Sequence, residues 1–170
     1  FATERKLKLV LLGADDARKA IDVIVKHAVP VIVGPSQALP EHEDDPYDAP
    51  YALAGDLHKA GVRVSISTFS SSNSRTLPFE AGHAVGYGLP WEEALRAITI
   101  NPAQALGLGD RIGTIEPGKI ANLIVTSGDP LEIATTVRYV FINGRPVSLA
   151  NRHRDSYERW KSRPLPAPTR

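Results

Sequence analysis

Two residue types are missing from this chain: its 170 residues include no cysteine and no methionine. Without cysteine the chain can form neither a disulfide nor a thiolate metal site. Because translation begins with methionine, a chain that begins at Phe1 is expected to be a piece of a longer protein. Further segments of the protein are therefore expected.

An excess of charge of one sign is also missing. Lysine and arginine number 20 against 19 aspartates and glutamates, for a net charge of +1. This balance leaves no basic footprint for nucleic acid or an anionic membrane surface, so neither is expected as a partner. No apolar run approaches the roughly 20 residues of a membrane-spanning helix. The composition predicts a soluble domain and favours neither a cytoplasmic nor an exported location.

The first half of the chain alternates short apolar runs with apolar residues at helical spacing. Strands are predicted at residues 8–12, 31–33 and 62–68. One helix is predicted to begin at Asp15, as its N-cap, and a second after the polar loop 34–47. The predicted buried faces of these helices are Ala17, Ala20, Ile21, Ile24, Val25 and Ala28 for the first, and Pro50, Leu53, Ala54 and Leu57 for the second. Such alternation is typical of a parallel sheet.

Prolines and glycines predict the elements that follow. Pro78 and Pro90 are expected in the first turns of two further helices. Short β segments are predicted from residue 112 to residue 149, with a hairpin turn at Asn143-Gly144. An amphipathic helix is predicted around Tyr157 to Trp160, before an extended or disordered tail containing Pro164, Pro166 and Pro168. The chain therefore divides into residues 1–108, 109–149 and 150–170.

An ordered series of short motifs runs through the second half of the chain. It comprises Asn101-Pro102-Ala103, Arg111-Ile112-Gly113, Glu116-Pro117-Gly118-Lys119, Asp129-Pro130-Leu131 and Val140-Phe141-Ile142-Asn143-Gly144. The series resembles the carboxyl-terminal part of the amidohydrolase superfamily, metal-dependent hydrolases related to imidazolonepropionase and dihydroorotase. The resemblance covers nearly the whole chain and is firmest from Leu77 to Val147. One departure is Ala121-Asn122-Leu123, where the family usually has Ala-Asp-Leu.

The resemblance implies a (β/α)8 TIM-type barrel with a small β-sandwich. Such a barrel needs about 250 residues, so three strand–helix units would be its last part. The sandwich strands of residues 109–149 would be completed by strands from the amino terminus. The expected partners are therefore the amino-terminal half of the same protein and, through uncovered strand edges, further copies in a homo-oligomer.

The resemblance also implies zinc or another divalent metal. The family's ligands are a His-x-His pair on the first barrel strand, which would lie before Phe1, and His or modified Lys on middle strands. An Asp at the end of the last strand completes the set, and Phe69 stands at that position here. No histidine is found near Gly13, where a middle-strand ligand is expected. Phenylalanine has no donor atom, so we expect this chain to hold no metal or other cofactor.

Parallel strands deliver the loops that follow them to one end of a barrel. Here these loops are residues 13–16, 34–47 and 68–77. Their polar side chains suit hydrogen bonds to a small-molecule ligand, and the candidate pocket residues are His42, Asp45, Thr68, Ser70, Ser71 and Asn73. The alternative is that 41–48 is a solvated acidic loop, with Asp48 capping the next helix, and that 70–74 is a flexible loop. The serine run lacks the glycines and lysine of a phosphate-binding loop.

Two functions remain open from the sequence. The first is hydrolysis of a non-peptide C–N bond, in an amide or a cyclic amide. The second is a non-catalytic binding or partner subunit that has kept the family's fold, since the expected metal-ligand positions are lost. An independent α/β binding domain is disfavoured, because three strand–helix units would leave an open parallel-sheet edge.

Overall fold

Two small sheets organise the chain in a computed structural model, which describes residues 1–2 and 4–164. The first is a parallel sheet of β1 (Leu11–Leu12), β2 (Val31–Val33) and β3 (Val64–Ile66), in that order. The second is an antiparallel sheet of β4 (Leu123–Thr126), β5 (Val137–Ile142) and β6 (Arg145–Val147). The predicted mixed α/β class is confirmed.

The register of the parallel sheet aligns Leu11 with Val31 and Val31 with Val64. β2 occupies the predicted residues, whereas β1 and β3 are shorter than predicted. Both are outer strands of the described sheet and pair on one side only, so part of each apolar run has no neighbouring strand to complete its hydrogen bonds.

Five helices accompany the parallel sheet: α1 (Ile21–Lys26), α2 (Ala49–Lys59), α3 (Leu77–Gly86), α4 (Trp91–Ala97) and α5 (Ile100–Ala105). The prediction of one regular helix capped by Asp15 was wrong. Residues Asp15–Ala20 form a 3₁₀ helix before α1, and the N-cap residue is Ala14, without a side-chain cap bond. A 3₁₀ helix has about 3.0 residues per turn instead of about 3.6, so the residues that face the core differ from those predicted for one α-helix. As a result Ala17 and Ile24 are buried, whereas Val25 is exposed.

The later helix predictions hold more closely. Leu53, Ala54 and Leu57 of α2 are buried as predicted. Asp48 is the N-cap residue of α2, but its side chain makes no cap hydrogen bond. Pro78 lies in the first turn of α3, and Pro90 is the N-cap residue of α4 rather than part of its first turn.

The core lies between the helices and one face of the parallel sheet. Val31, Val33, Val64 and Ile66 pack with buried side chains of α2, α3 and α4, chiefly Leu53, Leu57, Ala81, Ala84, Ala94 and Ala97. Leu12 is 66% exposed, so the other side of the sheet is less well covered at β1.

Asn101 of the Asn-Pro-Ala motif attaches α5 to the sheet. Its side-chain amide donates a hydrogen bond to the Val64 carbonyl oxygen (2.8 Å), and the residue is only 5% exposed. A backbone carbonyl at a strand edge needs a partner when it is buried. The motif therefore satisfies an unpaired group of β3.

The antiparallel sheet contains the predicted hairpin. Asn143 and Gly144 join β5 to β6 with φ angles of 50° and 74°, the positive pair that a type I′ turn requires. Before β4, the Lys119 ammonium donates to the Gly109 carbonyl (2.8 Å) and to Thr114 Oγ1. The Gly-Lys motif thus ties together the turns that lead into this sheet.

A final helix, α6 (Arg152–Trp160), begins earlier than predicted because Asn151 caps it: its side chain accepts a hydrogen bond from the Arg154 N–H (3.0 Å). All residues of α6 are exposed. The predictions for Pro166 and Pro168 lie outside the described residues. In the part of the chain that the structure describes, no helix has the length and apolar character needed to cross a membrane.

Gly34 and Gly13 offer a matched test of the close approach between β2 and β3. A Cβ on Gly34 would lie 2.1 Å from the Ser67 carbonyl oxygen at a φ of +120°, whereas a Cβ on Gly13 (φ +64°) meets nothing within 4 Å. We expect Gly13→Ala to cost about 1–2 kcal/mol, from backbone strain alone. Gly34→Ala should cost more than about 4 kcal/mol, because strands must also separate. Denaturant unfolding measures both, and equal costs would contradict the packing described.

Candidate ligand site

The loops after β1, β2 and β3 leave the parallel sheet at one edge. The Gly13 N–H donates to the Ile32 carbonyl (2.9 Å), and the Ser67 N–H donates to the Val33 carbonyl (2.9 Å). These bonds extend the sheet's hydrogen bonding one residue past the ends of β1 and β3. The loops 13–16, 34–47 and 68–77 therefore start side by side, which is the arrangement in which α/β proteins bind ligands.

His42 and Asp45 of the second loop lie beside the first loop. The His42 N–H donates to Asp45 Oδ2 (3.1 Å), and His42 Nε2 lies 3.8 Å from Asp16 Oδ1. These contacts place two predicted pocket residues close to each other and next to Asp16 of the first loop.

A cavity of about 360 Å³ lies between these two loops and the start of α2. This volume falls within the range of small-molecule sites. Its lining combines polar and apolar side chains, among them Asp15, Lys19, Asp45, Pro35, Leu39 and Leu53. Arg18, also in the lining, donates to Asp56 Oδ2 (2.9 Å) and to the Ala49 carbonyl (2.8 Å), so it braces α2 against the 3₁₀ helix.

The third loop satisfies much of its own hydrogen bonding. Thr68 Oγ1 donates to the Ser70 carbonyl (3.1 Å), and Ser70 Oγ accepts from the Asn73 N–H (3.3 Å). The Ser71 carbonyl accepts from Ser74 Oγ (3.1 Å). None of these predicted pocket residues lines the cavity that Asp45 lines. The six predicted residues thus fall into two groups at the same edge of the sheet.

Phe69 has a backbone conformation that is unusual for its side chain. Its φ is 45°, its ring is 48% exposed, and its N–H donates to Ser67 Oγ (3.1 Å). Asp and Asn adopt this left-handed region more readily than other non-glycine residues. Phenylalanine pays strain of about 1–3 kcal/mol there. The geometry at this position would accommodate an aspartate more easily than the residue present.

The described side chains of this chain do not by themselves form a site for the divalent metal that the family resemblance implies. Within residues 1–2 and 4–164, no three His, Asp or Glu side chains come together in an arrangement that could hold a metal ion. Phe69 offers no ligand atom at the position of the expected carboxylate. These residues alone therefore support no chemical step that uses a metal.

Asp16 forms an exposed ion pair with Lys19 at the cavity rim. The Lys19 ammonium lies 2.7 Å from Asp16 Oδ1. The hydrogen bond from Lys19 holds the pKa of Asp16 below its ordinary value, with a smaller contribution from the charge of His42. The same hydrogen bond raises the pKa of Lys19. Because both side chains are well exposed, this ion pair adds little to the folding stability of the chain.

Replacing Lys19 by Met should raise the pKa of Asp16 towards its ordinary value, since the largest cause of the lowering is removed. In the unmodified chain, the pair is complete above the ordinary carboxyl pKa and is lost as pH falls through the lowered pKa of Asp16. Carboxyl-carbon NMR of Asp16 against pH measures the change. Lys26→Met, which removes the same charge from α1, is the control. An Asp16 titration that is the same in all three proteins would contradict the assigned cause.

Comparison with solved structures shows a common fold. The chain is similar to an amidohydrolase from Thermotoga maritima MSB8, with 33% identity and a TM-score of 0.75. The match covers 86% of this chain and 38% of that one.

Curated relatives match over shorter regions. The chain is 38% identical over 82 residues to the imidazolonepropionase of Syntrophobacter fumaroxidans, which is 46% of this chain and 19% of that protein. It is 57% identical over 44 residues to the N-substituted formamide deformylase of Arthrobacter pascens, which is 26% of this chain and 8% of that protein. The chain thus spans only a minor part of the length of these relatives.

A family model also matches the chain. The model described as the amidohydrolase family matches residues 48–147. This region is more than half of the 170 residues and includes Asn101, Lys119 and the Asn143-Gly144 hairpin. The chain belongs to the amidohydrolase family.

Proposed function

We propose that this chain is the carboxyl-terminal part of an amidohydrolase-type (β/α)8 barrel and that it supplies the barrel's last three strand–helix units. Three parallel strands with helices on one face support this, as does the match to 38% of the length of the Thermotoga maritima chain. Residues 109–149 would then be part of the β-sandwich. The partners that follow are the amino-terminal half of the same protein and further copies in a homo-oligomer.

For the complete protein, we propose hydrolysis of a non-peptide C–N bond in an amide or a cyclic amide. The observation that carries this proposal is the family match, together with relatives named imidazolonepropionase and N-substituted formamide deformylase. In this reaction water adds across the bond: the carbonyl carbon takes the hydroxyl group and the nitrogen takes the proton. Because the described residues of this chain contain no group of metal-binding side chains, the groups that activate water would have to come from other parts of the protein.

Within this function, the role of the chain is to hold the ligand. Asp45 lines a cavity of about 360 Å³. His42 donates its N–H to Asp45, and Thr68, Ser70, Ser71 and Asn73 occupy the loop after the neighbouring strand. Their hydroxyl, imidazole, amide and carboxyl groups can hydrogen-bond the polar atoms of an amide. The apolar part of the cavity, which includes Leu39 and Leu53, would take the rest of a small molecule.

A specific observation favours a second candidate, a non-catalytic binding member of the family. Phe69 stands where the family's last-strand aspartate is expected, in a backbone conformation that suits an aspartate better. A protein with this substitution would keep the loops and the cavity while losing a group that accepts the proton of water. The two candidates differ in turnover and agree on ligand binding.

The complete reading frame, expressed and purified, distinguishes the two candidates. Under the hydrolase proposal it should cleave a member of a panel of amides, cyclic amides and N-substituted formamides, and a chelator should abolish cleavage. Phe69→Asp should then raise the rate at least 10-fold, because a proton acceptor contributes about 10²–10⁴-fold in general. Phe69→Asn is the matched control, since it keeps the polar shape without a basic carboxylate. Binding without turnover in both the unmodified and the Phe69→Asp protein would establish the binding candidate instead.

Replacing Ser70 and Asn73 together by Ala tests the third loop. If both side chains bond the ligand, the loss should be about 1–3 kcal/mol, since a hydrogen bond contributes about 0.5–1.5 kcal/mol. This corresponds to an affinity roughly 5–150-fold weaker, with little change in thermal stability. Calorimetry with the best-binding amide of the panel measures the change, and Ser72→Ala in the same loop is the control. Unchanged binding, with binding lost instead when the Asn143-Gly144 hairpin is altered, would place the site elsewhere.

A further inference from the structure

Glu80 is a buried acidic residue in α3 that the predicted site does not include. It is 6% exposed, as is Ser36. Glu80 Oε2 accepts two hydrogen bonds from Ser36, one from the backbone N–H (2.7 Å) and one from the hydroxyl (2.6 Å). Both bonds are short, as bonds to a carboxylate oxygen are. Within the described residues, no lysine, arginine or histidine lies within ion-pair distance of this carboxyl group.

These two residues connect two loops of the candidate site. Ser36 lies at the start of loop 34–47, two residues after Gly34. Glu80 lies in the first turn of α3, the helix that follows loop 68–77 directly. The two residues are 44 positions apart in the sequence. One side chain therefore bridges the segment that carries His42 and the segment that carries Ser70.

Apart from the bonds to Glu80, the exposed contact between His42 and Asp16 (3.8 Å) and the Pro46 carbonyl, which accepts from the Ala49 N–H (2.9 Å), the hydrogen bonds of loop 34–47 in the described chain are local. The Ala38 N–H donates to the Pro35 carbonyl (3.2 Å), and the Asp45 N–H donates to the His42 carbonyl (3.2 Å). His42 also bonds Asp45, so these bonds are all within the loop. Leu39, near the middle, is 87% exposed. The bonds from Ser36 to Glu80 are thus the buried polar attachment of this loop to a helix.

We propose that Glu80 is a positioning residue of the ligand site, which holds loop 34–47 in place relative to loop 68–77 through Ser36. The identity of the ligand that these loops bind rests on the proposed function. The attachment of Ser36 to Glu80 does not depend on it. Removal of the carboxyl group leaves the buried Ser36 N–H without an acceptor, and the hydroxyl keeps only its longer contact with the Glu80 backbone carbonyl oxygen (3.3 Å). The loop then regains hydrogen bonds only by moving Ser36 towards water. The core beneath α3, which uses Ala81 and Ala84, stays packed.

These 170 residues include no cysteine, so within them a single introduced cysteine is the one site that a thiol-reactive spin label can modify. Any cysteine elsewhere in the complete protein is first replaced by serine. Leu39→Cys reports on loop 34–47, and Ile115→Cys, at a residue 86% exposed in a distant turn, is the control site. The protein is expressed from its complete reading frame and studied without ligand. Electron paramagnetic resonance measures label mobility, and hydrogen–deuterium exchange measures protection of the Ser36 amide and of amides in β2 and β3.

Glu80→Ala should increase label mobility at position 39 and speed exchange of the Ser36 amide at least 10-fold. Label mobility at position 115 and exchange in β2 and β3 should not change. In Glu80→Gln, label mobility at position 39 and exchange of the Ser36 amide should stay close to those of the unmodified protein, because the glutamine amide oxygen can accept both bonds. Ser36→Ala, which keeps the N–H bond only, should fall between. Glu92→Ala, at an exposed position of α4, is the matched control and should change nothing.

Three results would overturn the proposal. The first is a Glu80→Ala protein whose loop label and Ser36 amide behave as in the unmodified protein. The second is an equal loosening at both labels and in β2 and β3, which would show a general loss of stability. The third is failure of Glu80→Gln to restore the loop, since the acceptor oxygen would then not be the cause. None of these measurements uses a substrate, so their outcome is separate from that of the hydrolysis and binding assays.

Discussion

The parallel pairing of β1, β2 and β3 is the constraint on which the rest of this structure depends. Its backbone hydrogen bonds align Leu12 with Ile32 and Ile32 with Ser65. In a parallel sheet all carboxyl ends lie at one edge. Every feature of the candidate ligand site, from the cavity to the serine-rich loop, follows from that alignment. The helices contribute by covering one face of the sheet and by returning the chain to the opposite edge.

The family motifs of the second half act on the fold rather than on chemistry. Asn101 supplies a hydrogen-bond donor to a β3 carbonyl, and Lys119 binds the carbonyl of Gly109 from a largely buried position. Hydrogen bonds from Thr114 and Lys119 also hold the pKa of Glu116 below its ordinary value, and the Lys119 charge adds to the lowering. Such roles explain how the family can be recognised from this part of the chain.

The candidate site contains a strained backbone conformation and a buried acidic side chain. Phe69 remains in a left-handed backbone conformation, and Glu80 remains buried with Ser36 as its partner. Strain and buried polar groups each cost free energy, so their surroundings must hold them in place. Both lie next to the loops that the parallel sheet brings together. Two features that cost free energy therefore lie beside the edge where a ligand would bind.

Much of the fold was determined by local sequence. Four features were predicted because each depends on residues close in sequence. They are the apolar run of β2, the buried face of α2, the proline in the first turn of α3 and the hairpin at Asn143-Gly144. The helix after Asp15 was predicted with the wrong geometry, since a 3₁₀ turn and an α turn have similar composition and differ in packing.

Only the tertiary structure decided what the site contains. The sequence identified the three loops and His42 and Asp45, but it gave no reason to join Ser36 to Glu80, which are 44 residues apart. A glutamate in a helix ordinarily faces water, and nothing near Glu80 in the sequence marks it as buried. Its burial depends on where β2 ends relative to α3, which long-range strand pairing sets. Local patterns determined the elements, and contacts between distant residues determined which side chains meet.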